Sequence, residues 1–165
     1  MTKLEPVPAL SVEPGIPEEY VGAARQSPTH RTFFDRIEAL DRYENFTLVG
    51  IAAPNGQGGR SNIYVHAKIM LVDDVWATIG SCNLHSNSLS GHTEMNAAFR
   101  DPTVVRALRY QLLSEHLGED TAQLDDRAAL RLYRNIAHAN GLRRESRDAK
   151  WRGLAFVLSP AAYGR

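Results

Sequence analysis

The sequence predicts an α/β fold: a mixed β-sheet flanked by helices. Three observations point there. Apolar runs of strand length at residues 46–52, 63–72, 75–80 and 94–99 are separated by turn chemistry. Segments with helical spacing lie before and after them, at 27–43, 101–118 and 121–139. The length, 165 residues with 43% hydrophobic and 23% charged side chains, suits one globular domain with a real core.

Four prolines, Pro6, Pro8, Pro14 and Pro17, make the first 28 residues read as an irregular segment, with a short strand through "ALSV". Ser27 and Pro28 then open a helix whose inner face carries Phe33, Ile37 and Leu40, with Phe34 beside them. "FTLVGIA" follows as a strand. The loop "NGQGGRSN" behind it leads into another strand and not into a helix N-terminus, so it reads as a connection without a phosphate-binding role. Asp73 and Asp74 mark a tight turn between the strands at 63–72 and 75–80. Asp101 caps the next helix, with Pro102 at its first position, Val105, Leu108 and Leu112 facing inward, and Gly118 as the stop. In the last helix Leu124, Ala128, Leu132 and Ile136 recur every four residues.

The organisation expected is an N-terminal segment over 1–28, a catalytic unit over 29–140, and a tail over 141–165 that packs on it. The tail gathers Arg143, Arg144, Arg147, Lys150 and Arg152 around Trp151. Because Glu145 and Asp148 interrupt the run, a solvated turn before a docking segment is the favoured reading; a surface for anionic lipid or nucleic acid is the alternative.

Nineteen Lys and Arg balance nineteen Asp and Glu, so the global positive charge common among nucleic-acid binders is missing. The lone cysteine, Cys82, has no cysteine partner for a disulfide or a zinc site and suits a small filler in a reducing compartment. No signal-peptide-like or membrane-spanning run is present, which makes a cytoplasmic location, with peripheral membrane contact, the expectation.

Polar residues concentrate in one place. On a strand, His66 and Lys68 share a face, whereas Asp73 has the opposite parity and reads as a turn acid. The returning strand delivers Ser81 and Asn83 after Gly80, and Glu94 opens the strand beyond, where it could orient the His66 imidazole. Unpartnered Lys and His are costly to bury, so packing does not explain the group. Trp76 reads as sheet packing and His92 as a loop residue; Thr93 and Asn96 receive no role.

The pattern His66-x-Lys68-x4-Asp73, then Gly80-Ser81-x-Asn83 and Glu94, resembles the His-Lys-Asp signature of the phospholipase D superfamily. Over residues 29–118 the text is similar to the C-terminal catalytic half of bacterial phospholipase D proteins. The resemblance implies a phospholipase D-like half-domain and phosphodiester cleavage or phosphatidyl transfer on phospholipids, without cofactor or metal, through a phosphohistidine. It implies His66 as nucleophile or general acid, and Lys68, Asn83 and Ser81 as donors to the phosphate oxygens. Glu94 would hold the imidazole, and Asp73 and Gly80 would be structural parts of the motif. Family enzymes use two such motifs and this chain has one: none of His30, His85, His92, His116 and His138 has a lysine two residues on. A homodimer or a missing N-terminal half is therefore implied as partner. Only one or two strands precede the motif, which leaves a half-domain incomplete at its N-terminus as an open alternative. A nuclease using the same displacement and a catalytically silent half-domain are the other readings.

Overall fold

A computed structural model describes residues 28–83, 88 and 91–163; for residues 28–33 it describes the backbone alone. Helix α1, Pro28–Leu40, is followed by β1, Val49–Pro54, and β2, Arg60–Asn62. Strands β3, Lys68–Val72, β4, Trp76–Gly80, and β5, Asn96–Arg100, precede helices α2, Pro102–Leu117, and α3, Asp126–Glu145; β6, Ala155–Val157, comes last. The "ALSV" stretch lies outside the described residues.

The strands form two antiparallel three-stranded sheets, in the orders β2-β1-β6 and β3-β4-β5, and not one mixed sheet. The division falls within the run expected to be a single strand from 63 to 72. Ile63 still donates to the Ile51 carbonyl at 2.8 Å, but residues 63–67 then leave the ladder and pairing resumes only at Lys68. Of this run only Lys68–Val72 is strand, and residues 63–67 link one sheet to the other. The glycine-rich loop closes the β1–β2 hairpin: Asn55 Oδ1 accepts from the amides of Gln57 and Gly59, each at 3.1 Å.

Helix α2 forms where the sequence places it, whereas α3 begins and ends later than the expected 121–139 stretch. Of the expected inner faces Val105 and Ile136 are buried, and the rest of each buried stripe lies one position further on. Asp101 Oδ1 accepts from the amides of Thr103 and Val104, and Gly118, at φ 66°, supplies the left-handed cap of α2. The buried side of α2 is Val105, Arg109, Leu113, His116 and Leu117, while Leu108 and Leu112 stay half-buried. An arginine and a histidine interrupt the apolar pattern, and both are paired. Arg109 meets Asp74, and His116 Nδ1 lies 3.0 Å from the Tyr133 hydroxyl.

Helix α3 starts at Asp126, after the Asp125 cap, and buries Ala129, Tyr133, Ile136, Ala137, Asn140 and Gly141. Leu124 precedes the helix, and Ala128 and Leu132 stay half-buried. Small residues line the inner face because β6 passes close to it: a Cβ at Gly141 would lie 2.6 Å from Val157 Cγ1. Asn140, fully buried, donates to the carbonyls of Arg152 and Ala155 and accepts from the Arg152 amide, tying the tail to α3. These helices and β1 enclose the main core around Leu113, Leu117, Tyr133 and Ile136. Helix α1 forms a second cluster with Phe34, Ile37, Leu48 and Tyr163, while Leu40 is 36% exposed.

The β3–β4 turn is fixed by both ends of its acidic pair. Asp73 and Asp74 adopt φ 50° and 53°, a region that Asp tolerates better than most residues. The ion pair, however, belongs to Asp74 and not to Asp73. Arg109 Nε and Nη2 reach its two carboxylate oxygens at 2.6 and 2.9 Å, and Nη2 also donates to the Leu124 carbonyl at 3.0 Å. The side chains of Arg109 and Asp74 are 6% and 20% exposed, so removal of one charge leaves the other poorly solvated. Asp74→Asn is expected to destabilise the fold by about 3 kcal/mol. Asp73→Asn, at an exposed position, should change stability by less than about 0.5 kcal/mol. Urea unfolding of the two variants measures the contrast.

Candidate active site

The β3-β4-β5 ladder decides which polar groups meet. Lys68 pairs with Gly80, and Gly80 with Asn96, so these three residues form one cross-strand row at the end of the sheet away from the Asp73–Asp74 turn. Roughly 13 Å of strand separates the two ends. His66 precedes β3, Ser81 and Asn83 follow β4, and Glu94 precedes β5, so all candidate site residues except Asp73 gather at this end.

Beyond the ladder the middle strand is held by side chains. Ser81 exchanges backbone and side-chain bonds with Met95: its amide donates to the Met95 carbonyl at 3.0 Å, and its Oγ accepts from the Met95 amide at 3.0 Å. The same hydroxyl donates to Glu94 Oε2 at 2.5 Å. The Cys82 amide donates to Asn96 Oδ1 at 3.2 Å. Asn96, to which sequence reasoning gave no role, is thus part of the frame of the site. The signal available was its spacing, two residues after Glu94.

Gly80 has a steric reason. A Cβ there would collide with Asn96 Oδ1 and the Met95 carbonyl, so only glycine lets β5 pass this close to the end of β4.

The His66–Lys68 pair differs from the expectation for adjacent positions on one strand. His66 lies on the linking segment and is exposed; its ring stacks on Tyr64 with centroids 5.9 Å apart and planes inclined by 25°. Lys68 Nζ donates to the His66 carbonyl oxygen at 2.8 Å, which holds its ammonium beside the histidine backbone. Glu94 is engaged by the hydroxyls of Ser81 and Ser88, and not by the imidazole. Those hydrogen bonds, chiefly that of Ser81, hold its carboxyl below the ordinary range, and the His92 and Lys68 charges act in the same direction. Asn83 Oδ1 is buried without a hydrogen-bond partner among the described residues. Trp76 is half-buried in the sheet, and His92 is exposed on the loop before Glu94.

A cleft of about 200 Å³ beneath β3 lies at the other end, lined by Leu71, Asp73, Asp74, Arg109 and Leu113 among others. It is distinct from the cluster around Lys68.

Residues 35–115 match the family described as "Cardiolipin synthase, PLD-like domain". The chain belongs to the phospholipase D superfamily. Phospholipase D zeta 1 of Arabidopsis thaliana is 36% identical over 93 residues, which cover 46% of this chain and 8% of that protein. Phospholipase D1 of Schizosaccharomyces pombe is 38% identical over 82 residues, 39% of this chain and 6% of that protein. Cardiolipin synthase B of Salmonella typhi is 46% identical over 48 residues, 29% of this chain and 12% of that protein. The chain thus spans only a small part of the length of the superfamily relatives it matches.

Two measurements test the frame. Gly80→Ala is expected to cost about 1–3 kcal/mol by overpacking, and adding Asn96→Ala should recover only part of this, since the Met95 carbonyl remains; thermal melts of the single and double variants check it. The second concerns pH. Glu94 has a folded-state pKa below its ordinary 4.5, so it contributes stability above the ordinary value, and this is lost as pH falls through the folded one. Glu94→Gln should therefore lose stability at neutral pH and show a flatter decline on acidification, as followed by urea midpoints between pH 7 and pH 3.

Proposed function

We propose that this chain supplies one half of the active site of a metal-independent phosphodiesterase or phosphatidyltransferase acting on phospholipids. The observation that carries the reading is the gathering of His66, Lys68, Ser81, Asn83 and Glu94 at one end of the β3-β4-β5 sheet. The phospholipases D and cardiolipin synthase among its relatives favour a lipid phosphodiester over a nucleic acid.

In this reading one imidazole nitrogen of His66 attacks phosphorus. A P–N bond forms, the P–O bond to the leaving alcohol breaks, and the departing oxygen takes a proton from a second histidine. Water or an alcohol, deprotonated by that second histidine, then attacks phosphorus, and the P–N bond breaks, returning His66. Where the two motifs exchange roles, His66 is the proton donor instead.

Lys68, swung from the His66 carbonyl, neutralises charge on the non-bridging oxygens, and the Asn83 amide group donates to the same oxygens. Ser81 serves this chemistry less directly, because its hydroxyl is committed to Glu94 at 2.5 Å. Its role is to hold that carboxylate, which becomes available to an imidazole once the ring turns from Tyr64.

The second histidine comes from a dimer mate or a companion half. Sedimentation of the purified chain, run beside a headgroup-release assay on phospholipid, tests this. Turnover is expected only in the assembled species, and His66→Ala should lower it by more than about 100-fold without loss of fold. Full activity in a strict monomer contradicts the half-site, unchanged turnover of His66→Ala removes the nucleophile, and preferential nicking of plasmid makes the substrate a nucleic acid.

A further inference from the structure

The end of α3 and the loop after it carry a net charge that the catalytic reading does not use. Within residues 143–152 five cations face two carboxylates, in a chain whose total charge is zero, so the remainder is net acidic. A local excess of positive charge therefore sits at this corner.

This corner is a built surface. The Asp148 amide donates to the Arg143 carbonyl at 2.8 Å, folding the loop back over the last turn of α3, and Trp151 Nε1 donates to the Asp148 carbonyl at 2.8 Å. The Trp151 ring lies 5.4 Å from that of Phe156, and Arg60 covers it at 4.7 Å. Arg144 stacks over Phe156 at 4.2 Å, Arg152 pairs with Glu119, and Arg143 Nε lies 4.0 Å from Asp148 Oδ2, both side chains remaining open to solvent. Arg147 and Lys150 are exposed, and among the described residues neither has a carboxylate partner. Beside them Leu142, one residue before Arg143 on α3, is 68% exposed.

We infer that this corner docks on an anionic bilayer surface, Arg143, Arg147 and Lys150 facing the lipid phosphates while Leu142 enters among the headgroups. An exposed leucine amid cations suits an interface with an apolar layer beneath its charges. Single-stranded nucleic acid fits less well, because base stacking needs an open aromatic face and Trp151 is occupied by Arg60 and Phe156. The inference does not depend on turnover.

Co-sedimentation of the full chain with vesicles tests it. Vesicles with about a third phosphatidylglycerol in phosphatidylcholine should bind, vesicles of phosphatidylcholine alone should not, and added salt should weaken binding. Arg147→Asn with Lys150→Glu is expected to lower affinity more than about tenfold; asparagine is chosen because Arg147 sits at φ 58°. Leu142→Ser should lower it several-fold. The same charge removed elsewhere, by Arg36→Gln with Arg106→Glu at exposed positions of α1 and α2, should leave binding near wild type. Near-ultraviolet circular dichroism of each variant reports the Trp151 packing and confirms the fold. Equal loss in the control pair, no loss in the Arg147/Lys150 pair, or tighter binding of a single-stranded oligonucleotide than of the vesicles overturns the inference.

Discussion

The register of β4 between β3 and β5 is the constraint on which the site depends. Hydrogen bonding in that ladder is sequence-blind, but one row, Lys68–Gly80–Asn96, is specified by size: the middle residue has to be glycine for the third strand to close. Once that row forms, the chain emerging from β4 has only one place to go. Ser81 meets Met95 and Glu94, Cys82 meets Asn96, and the polar ends of three strands share a surface. A slip of one residue would send every side chain of a strand to the opposite face and dissolve the arrangement.

The other end of the same sheet is pinned differently. There the bidentate pair of Arg109 with Asp74 joins the β3–β4 turn to α2, and the additional bond to Leu124 ties in the approach to α3. Polar chemistry thus fixes both ends of the hairpin, one end as a structural tether and the other as the candidate site. Such a division suits a sheet of short strands with much of one strand exposed, where apolar burial alone specifies position weakly.

Much of this was legible in the sequence because it rests on local rules. Asp101, Pro102 and Gly118 delimit α2 through their own backbone chemistry, and the acidic turn follows from what Asp can adopt. The spacing from His66 to Glu94 pointed to the superfamily to which the chain belongs. What escaped is what depends on distant partners. Arg109 and His116 sit on a buried stripe because Asp74 and Tyr133 receive them, which no hydrophobic pattern contains. The inner face of α3 is small, through Ala129, Ala137 and Gly141, because a strand from the end of the chain packs there. The run from 63 to 72 reads as a single strand because periodicity cannot tell a paired strand from the extended link that leads into it. Asn96 too depends on a distant partner: its importance comes from the glycine across the ladder.

The central claim is that the groups at the open end of β3-β4-β5 act together as an oxyanion site, and a titration with vanadate observed through the histidine ring signals in nuclear magnetic resonance tests it most directly. The account predicts a saturable shift of the His66 resonances that Lys68→Ala and Asn83→Ala each weaken, while exposed His138, on α3, stays still. Resonances of His66 that ignore vanadate, or that move no more than those of His138, would contradict it.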